Sequence, residues 1–429
     1  MKHTKMLVML CFLFALVLAT VACGGNASVS SERTTETTAP LTQPIAQTTA
    51  VTTAVVTTTV AEETTAPKAF TSLKIGETSL SDYRIVYAKS EYSGYLKISS
   101  MKEYFPVYDF DHETADRLSD LIYDLSGVRL KVVQDQGNPE TANEILIGKT
   151  NRTESVKALK LDKLVSDDFL VDVEGTKLVI CGGEHGTTWH ALDYLEKFLT
   201  GLLAEYTADY TFASDFTYKG SYHLIRITCI GDSITAGAGS NNPAMLSYPA
   251  QMGRYLWKDA LVTNLGSSGA TMRDDLAAYT ARDVYTKALQ VAAETDLFTI
   301  MLGTNDSFYD TVWTSEDSKK FNDDCLDIVK SLFDKNNDLQ FVLSNCPRYF
   351  GNGGWASKTV RDLQAALVPV LNNAGYPTTF FDMYTPTSTM RNDFPDELHP
   401  SNAGYLKLGK IFADGLQPVL DSIKESYAD

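Results

Sequence analysis

Five residues suited to acyl chemistry stand at four places in the chain: Ser233 in GDSIT (231–235), Gly269 in NLGSSGAT (264–271), Asn305 in MLGTND (301–306), and Asp396 and His399 in DELHP (396–400). A serine hydroxyl is a weak nucleophile near neutral pH and needs a base to take its proton as it attacks. His399 is the candidate base. Asp396, three residues earlier, can orient that imidazole and stabilise its protonated form. Attack on an ester carbonyl builds negative charge on oxygen, and preorganised N–H donors must meet it. Ser233 offers a backbone N–H at a helix start, Gly269 a second backbone N–H with no side chain in the way, and Asn305 a side-chain amide. Each such donor is worth on the order of 3 kcal/mol in the transition state.

These residues are useful only if the fold brings them together. From about residue 223, apolar strands at 225–230, 261–265, 296–301, 338–345 and 378–382 alternate with helices near 246–258, 272–292, 315–334, 356–374 and 402–425. Regular β–α alternation predicts right-handed crossovers and a parallel sheet covered by helices on both faces. Ligands of such sheets sit at the carboxyl ends of strands, near the point where strand order reverses. Three of the motifs follow strands and DELHP precedes the last helix, so all four are expected at one rim.

The segment from about 225 to 425 resembles the SGNH hydrolase superfamily, also called GDSL esterases and lipases. The four name-giving residues of that family fall on Ser233, Gly269, Asn305 and His399, and its Asp falls on Asp396; Ile234 stands where the GDSL motif has Leu. The resemblance implies a flavodoxin-like three-layer α/β/α domain over 223–429 with about five parallel strands. It implies ester hydrolysis without metal or cofactor, with Ser233, Asp396 and His399 catalytic and Ser233, Gly269 and Asn305 forming the oxyanion hole.

Other chemistries fit less well. GAGSNN (237–242) lacks the third glycine of a dinucleotide fingerprint, and no acidic residue follows at the next strand. The G-x-S-x-G elbow of α/β-hydrolases is absent. Asp232 and Asp306 stand in no metal-ligand spacing, so no metal is expected, and Asp232 reads as a residue that fixes its turn. Aromatics in the loops SFYDTVW (307–313) and PRYFGNGGW (347–355) could stack on sugar rings or cover the core. Gly351, Gly353 and Gly354 could let the second loop move over the site.

Residues 70–222 read as a small α/β accessory domain of βαβ type. YRIVYA (83–88), VRLKVVQ (128–134) and NEILIG (143–148) read as strands, 112–127 and 187–203 as helices, and 168–183 as a hairpin turning at Gly175. The stretch EILIGKTNRTES with DDFLVDVEGTKLVICGGEHGTTWHALDYLEKFL resembles the non-catalytic N-terminal domains of some polysaccharide-degrading enzymes such as α-glucuronidases. His185 and His190, within it, read as structural or exposed.

The N-terminus reads as an export signal over 1–22: two lysines, an apolar run from Met6 to Leu18, then small residues. TVAC makes Cys23 a lipobox candidate, with Thr20 where Leu is usual. Residues 23–69 are Thr-rich, without aromatics over 26–68, and read as a disordered tether roughly 35–40 Å in span. The formal charge of −17 disfavours nucleic acid as a partner. Cys181, Cys229, Cys325 and Cys346 form no C-x-x-C pair and read as buried free thiols, with disulfides an open alternative. The expected product is thus an exported, lipid-anchored surface protein, secreted if Cys23 is not lipidated, acting on an ester. A carbohydrate acetyl ester is favoured; lipase, lysophospholipase, thioesterase and non-catalytic glycan-binding lipoprotein are the alternatives. Replacing the candidate lipid acceptor, Cys23→Ser, is expected to move the protein from the membrane to the soluble fraction, read by fractionation and immunoblot.

Overall fold

The computed structural model describes residues 69–90, 94–97, 104–107, 109–205, 207–309, 312–354 and 356–428. The leader, Cys23 and the Thr-rich tether lie outside the described residues.

Five parallel strands build the C-terminal sheet, in the order Ala260–Gly266, Ile225–Gly231, Leu297–Met301, Gln340–Ser344, Thr378–Phe381. The chain starts in the second position, steps to the edge, then crosses back to the third. Strand order therefore reverses between Ile225–Gly231 and Leu297–Met301, which opens a crevice at their carboxyl ends. Ser233 and Asn305 follow these two strands.

Side-chain alternation divides the core into two layers. Ile225, Ile227 and Cys229 pack with helices Tyr248–Tyr255 and Asn402–Ala428 on one face. Ile230, Phe298 and Ile300 pack with helices Ser315–Phe333 and Ser357–Asn373 on the other. Leu297–Met301 is buried along its whole length, as a central parallel strand must be. This is the three-layer α/β/α architecture expected from the alternation.

Two helical expectations are corrected. The helix expected near 246–258 is split into Pro243–Leu246 and Tyr248–Tyr255 at Ser247, which is extended. Pro249 explains the break, since its ring and missing N–H cannot continue a helix from upstream. Of the stretch 272–292, the helical parts are Tyr279–Ala281, a 3₁₀ turn, Asp283–Val291, and the start of a second 3₁₀ turn at Ala292–Glu294. Residues 271–279 are instead held by Thr271 N–H to Ala277 O and Tyr279 N–H to Thr271 O, at 3.1 and 3.0 Å, and by a carboxylate described below.

The N-terminal region centres on a six-stranded mixed sheet, ordered Thr217–Ser221, Asp168–Glu174, Lys177–Gly182, Glu144–Ile147, Arg84–Tyr87, Lys131–Gln134. Gly175, at φ +66°, turns the hairpin. Helices Phe110–Ser126 and His185–Ala204 cover one face; Ala158, of helix Thr153–Asp162, packs on the other. That last helix and the parallel pair Ser72–Ile75 with Asp209–Phe212 were not expected from the sequence.

This region meets the C-terminal sheet's helices directly. Phe110 stacks on Trp257 at 4.6 Å between ring centres, and the Lys258 amine sits 3.6 Å above the Trp189 ring while pairing with Glu113 at 2.7 Å. His190 faces Asp193 Oδ2 at 2.7 Å and Lys258 O at 2.9 Å through its two ring nitrogens. Both partners are acceptors, so both nitrogens carry hydrogen and the ring is an imidazolium. Burial opposes that charge, and the Asp193 and Asp259 carboxylates outweigh it, raising the His190 pKa. His190 is therefore structural, as expected.

The turn carrying Ser233 packs against the edge strand with no room for a side chain. A Cβ on Gly266 would lie 2.2 Å from Ala236 N. Gly266→Ala is expected to cost about 1–3 kcal/mol of stability by overpacking, read as a lower urea midpoint with an unchanged slope.

Candidate active site

Ser233 opens a single helical turn, Ser233–Ala236, at the end of its strand. Asp232 caps that turn, its Oδ1 accepting from Ile234 N–H at 2.9 Å, and Gly237 closes it at φ +92°. The serine hydroxyl points out of the capped turn toward the loop before the last helix. Its Oγ lies 2.9 Å from His399 Nε2.

The other ring nitrogen of His399 faces Asp396 Oδ2 at 2.7 Å. Asp396 Oδ1 also accepts the backbone N–H of His399 at 2.6 Å and of Leu398 at 3.1 Å. Partial burial pushes the Asp396 pKa up, but these N–H groups and the imidazole hold it below the usual carboxylate range. An ionised carboxylate only accepts, so Nδ1 carries the hydrogen and Nε2 is left to accept from the serine hydroxyl. Spacing of three residues lets one turn lock both the ring and its tautomer. Ser233 and His399 are separated by 166 positions and meet across the rim.

Gly269 and Asn305 stand at the same rim. Asn305 donates one amide N–H to Ala270 O at 2.9 Å, which ties it to the loop carrying Gly269 and leaves its second N–H. Neither Ser233 N–H nor Gly269 N–H has an acceptor among the described residues. The sequence reading gave Gly269 a steric reason, which the structure changes. A Cβ there would meet no atom within 4 Å, while φ is +77°, so the requirement is conformational.

Behind the rim lie two carboxyls, each completely buried. Asp306 accepts Met272 N–H and Arg273 N–H at 2.9 and 3.0 Å, one on each oxygen. It thereby holds the loop of Gly269 from beneath. Sequence reading weighed Asp306 only as an unsupported metal ligand, because the amides it binds are more than 30 positions away. Burial drives the pKa of Asp306 up to about 6, against those two N–H bonds and with help from nearby Asp232. Burial likewise brings Asp232 to about 6, against the Ile234 N–H. Asp232 does fix its turn, as expected.

The loop aromatics separate. Phe308 and Tyr349 line a cavity beside the rim, Tyr309 is exposed, and Trp313 packs on the core cluster and donates to Ser318 Oγ at 2.8 Å. Trp355 lies outside the described residues. In the second loop Gly353 and Gly354 hold φ of +134° and +60°, while Gly351 serves close packing. A Cβ on Gly351 would lie 2.5 Å from Glu397 Oε2, and Phe350 N–H bonds Glu397 O at 3.0 Å, so this loop is strapped to the one bearing His399. Cys181, Cys229, Cys325 and Cys346 are all free thiols, and burial raises Cys229 and Cys325 to about 12.

Residues 229–407 match the model of the GDSL-like lipase/acylhydrolase family. That stretch is a GDSL-like acylhydrolase domain. A curated relative, an acetylxylan esterase of Xylanibacter ruminicola, is 41% identical over 85 residues, which are 19% of this chain and 17% of that protein. The chain thus spans about a sixth of that relative's length. Among solved structures, Est24, a carbohydrate acetylesterase from Sinorhizobium meliloti, is 19% identical with a TM-score of 0.36, over 46% of this chain and 99% of that one. A family two carbohydrate esterase from Clostridium thermocellum, solved with cellohexaose, is 20% identical with a TM-score of 0.35, over 49% and 69%.

The GDSL turn stores a pH dependence. Asp232 binds its proton more tightly folded than unfolded, so its contribution to stability is greatest below the unfolded value of 3.8 and is lost as pH rises through about 6. Asp232→Asn cannot ionise. Relative to wild type it should gain on the order of 2–3 kcal/mol between pH 4 and pH 7, measured by denaturant unfolding at both.

Proposed function

We propose that this protein is a serine esterase that removes acyl groups, most simply acetyl, from a polysaccharide outside the cell. The observation that carries the reading is the Ser233 Oγ to His399 Nε2 contact of 2.9 Å, backed by the 2.7 Å contact of Asp396 on the same ring. The acylhydrolase domain match supports ester hydrolysis. The named activity of the Xylanibacter relative supports a carbohydrate acetyl ester, over the short stretch the two share.

In the mechanism, His399 Nε2 takes the Ser233 proton as Oγ bonds to the ester carbonyl carbon. The carbonyl electron pair moves onto oxygen, where Ser233 N–H, Gly269 N–H and the second Asn305 N–H receive it. Asp396 stabilises the imidazolium without taking its proton. Collapse breaks the bond to the alcohol oxygen, which leaves with the proton from Nε2. Water then attacks the acyl-serine along the same path and releases the acid. All the charge that develops is met by groups fixed in advance, so no metal is required.

The export signal, Cys23 and the Thr-rich tether of the sequence reading fit a surface lipoprotein that reaches insoluble glycan. The N-terminal α/β region would then ride with the catalytic domain as one block, through the Phe110–Trp257 stack and its neighbours.

With p-nitrophenyl acetate, Ser233→Ala should lose at least about 10³-fold in kcat while unfolding at the wild-type midpoint, and Asp396→Asn should lose about 10²-fold or more. EDTA should leave the rate unchanged. Full activity in Ser233→Ala would refute the mechanism.

A further inference from the structure

A cavity of about 130 Å³ lies over the ends of strands Leu297–Met301 and Gln340–Ser344, beside the strand that leads to Ser233. Its lining includes Gly303 and Thr304, which lead into Asn305, and Gly351, in the loop strapped to the His399 loop. It is therefore flanked by both halves of the proposed reaction centre.

Arg361 places a positive charge in the wall of this cavity. Arg361, in its wall, lays its guanidinium on Tyr384, with Cζ 3.7 Å from the ring centre. Stacking occupies the face of the guanidinium and leaves its edge N–H donors for a planar acceptor. Among the described residues no carboxylate pairs with Arg361, nor with Arg348, whose Cζ is 5.6 Å from the same ring. Arg84, Arg117, Arg152, Arg226, Arg273 and Arg391 all have acidic partners. In a chain of net charge −17, carboxylates are in excess; Asp362 feels the Arg361 charge but forms its ion pair with Lys358, so the guanidinium edge at the cavity wall is available to an anion from outside.

A second polar group is also left over. Gln364, fully buried at the base of the cavity, commits its amide hydrogens to Leu302 O and Ser344 O at 2.7 and 3.0 Å. Its Oε1 is buried without a donor among the described residues. A ligand hydroxyl can supply one. Phe308 and Tyr349 add aromatic faces at the same wall, set edge to face with centres 4.9 Å apart.

We propose that this cavity receives a carboxylate-bearing sugar of the substrate, a uronosyl residue, with Arg361 holding the carboxylate and Gln364 Oε1 accepting a hydroxyl. Phe308 and Tyr349 border the ring. The volume takes the carboxylate and one edge of a pyranose, with the rest of the glycan outside. This rests on the esterase reading and names its substrate class.

The test compares the full chain on acetylated xylo-oligosaccharides with and without a glucuronosyl branch. The branch is expected to raise kcat/KM about tenfold, through KM, the effect of one hydrogen-bonded charge pair. Arg361→Gln should bring that ratio close to one, and Arg361→Lys should restore only part of it. Equal rates on the two substrates in wild type, or a preference that survives Arg361→Gln, overturns the proposal. A preference for p-nitrophenyl hemisuccinate over the acetate would assign the carboxylate to the acyl side and overturn the uronosyl assignment. Calorimetric titration of the branched oligosaccharide into Ser233→Ala reads the cavity without turnover. There, about tenfold weaker binding on adding Arg361→Gln supports the proposal, and unchanged affinity overturns it. Loss of the esterase reading would appear separately, as no cleavage of p-nitrophenyl acetate by wild type.

Discussion

A single buried carboxylate organises the reaction rim. Asp306 holds the backbone amides of Met272 and Arg273, one to each oxygen, and so fixes the loop whose Gly269 turns its N–H outward. Asn305, the residue before it, clasps Ala270 O of the same loop. A carboxylate that is completely buried costs free energy to ionise, which is why its pKa rises to about 6. The two N–H bonds offset part of that cost. In the proposed mechanism this loop is a rigid seat for developing negative charge, built before any substrate arrives.

The sheet supplies the rest of the rigidity. Because strand order reverses between Ile225–Gly231 and Leu297–Met301, the turns after them diverge and leave a crevice rather than a packed surface. Asp232 and Asp306, on those two turns, are near enough that the charge of Asp232 raises the proton affinity of Asp306. The site therefore sits above two acidic groups that the fold keeps away from water. Their hydrogen bonds run to backbone amides, so they shape the loops without touching the reacting atoms.

Nearby, the same rim carries two arginines. Arg361 and Arg348 gather at Tyr384 without acidic partners, although the protein as a whole is strongly acidic. The loop 347–354 joins this corner to His399 through Glu397, which is held at φ +68°, a conformation uncommon outside glycine. The proposed recognition corner and the proposed base are thus joined by one short strap.

Much of this was legible from the residues. Apolar strands alternating in sequence with helical segments point to a parallel sheet covered by helices, since both of its faces must be buried. The types and order of Ser233, Gly269, Asn305, Asp396 and His399 determine which groups can meet at its carboxyl edge, and three-residue spacing determines that Asp396 can hold His399. Tertiary structure decided the remainder. Asp306 gained its role from amides 33 and 34 positions away, Gly269 owed its identity to φ rather than to space, and the Asp306 clamp stands where apolar periodicity alone would continue a helix. Arg361 became a candidate anchor only because folding put it on Tyr384, while the neighbouring Asp362 pairs with Lys358. Local pattern encodes which face is buried; a hydrogen bond or an unpaired charge between distant segments exists only once the chain has closed.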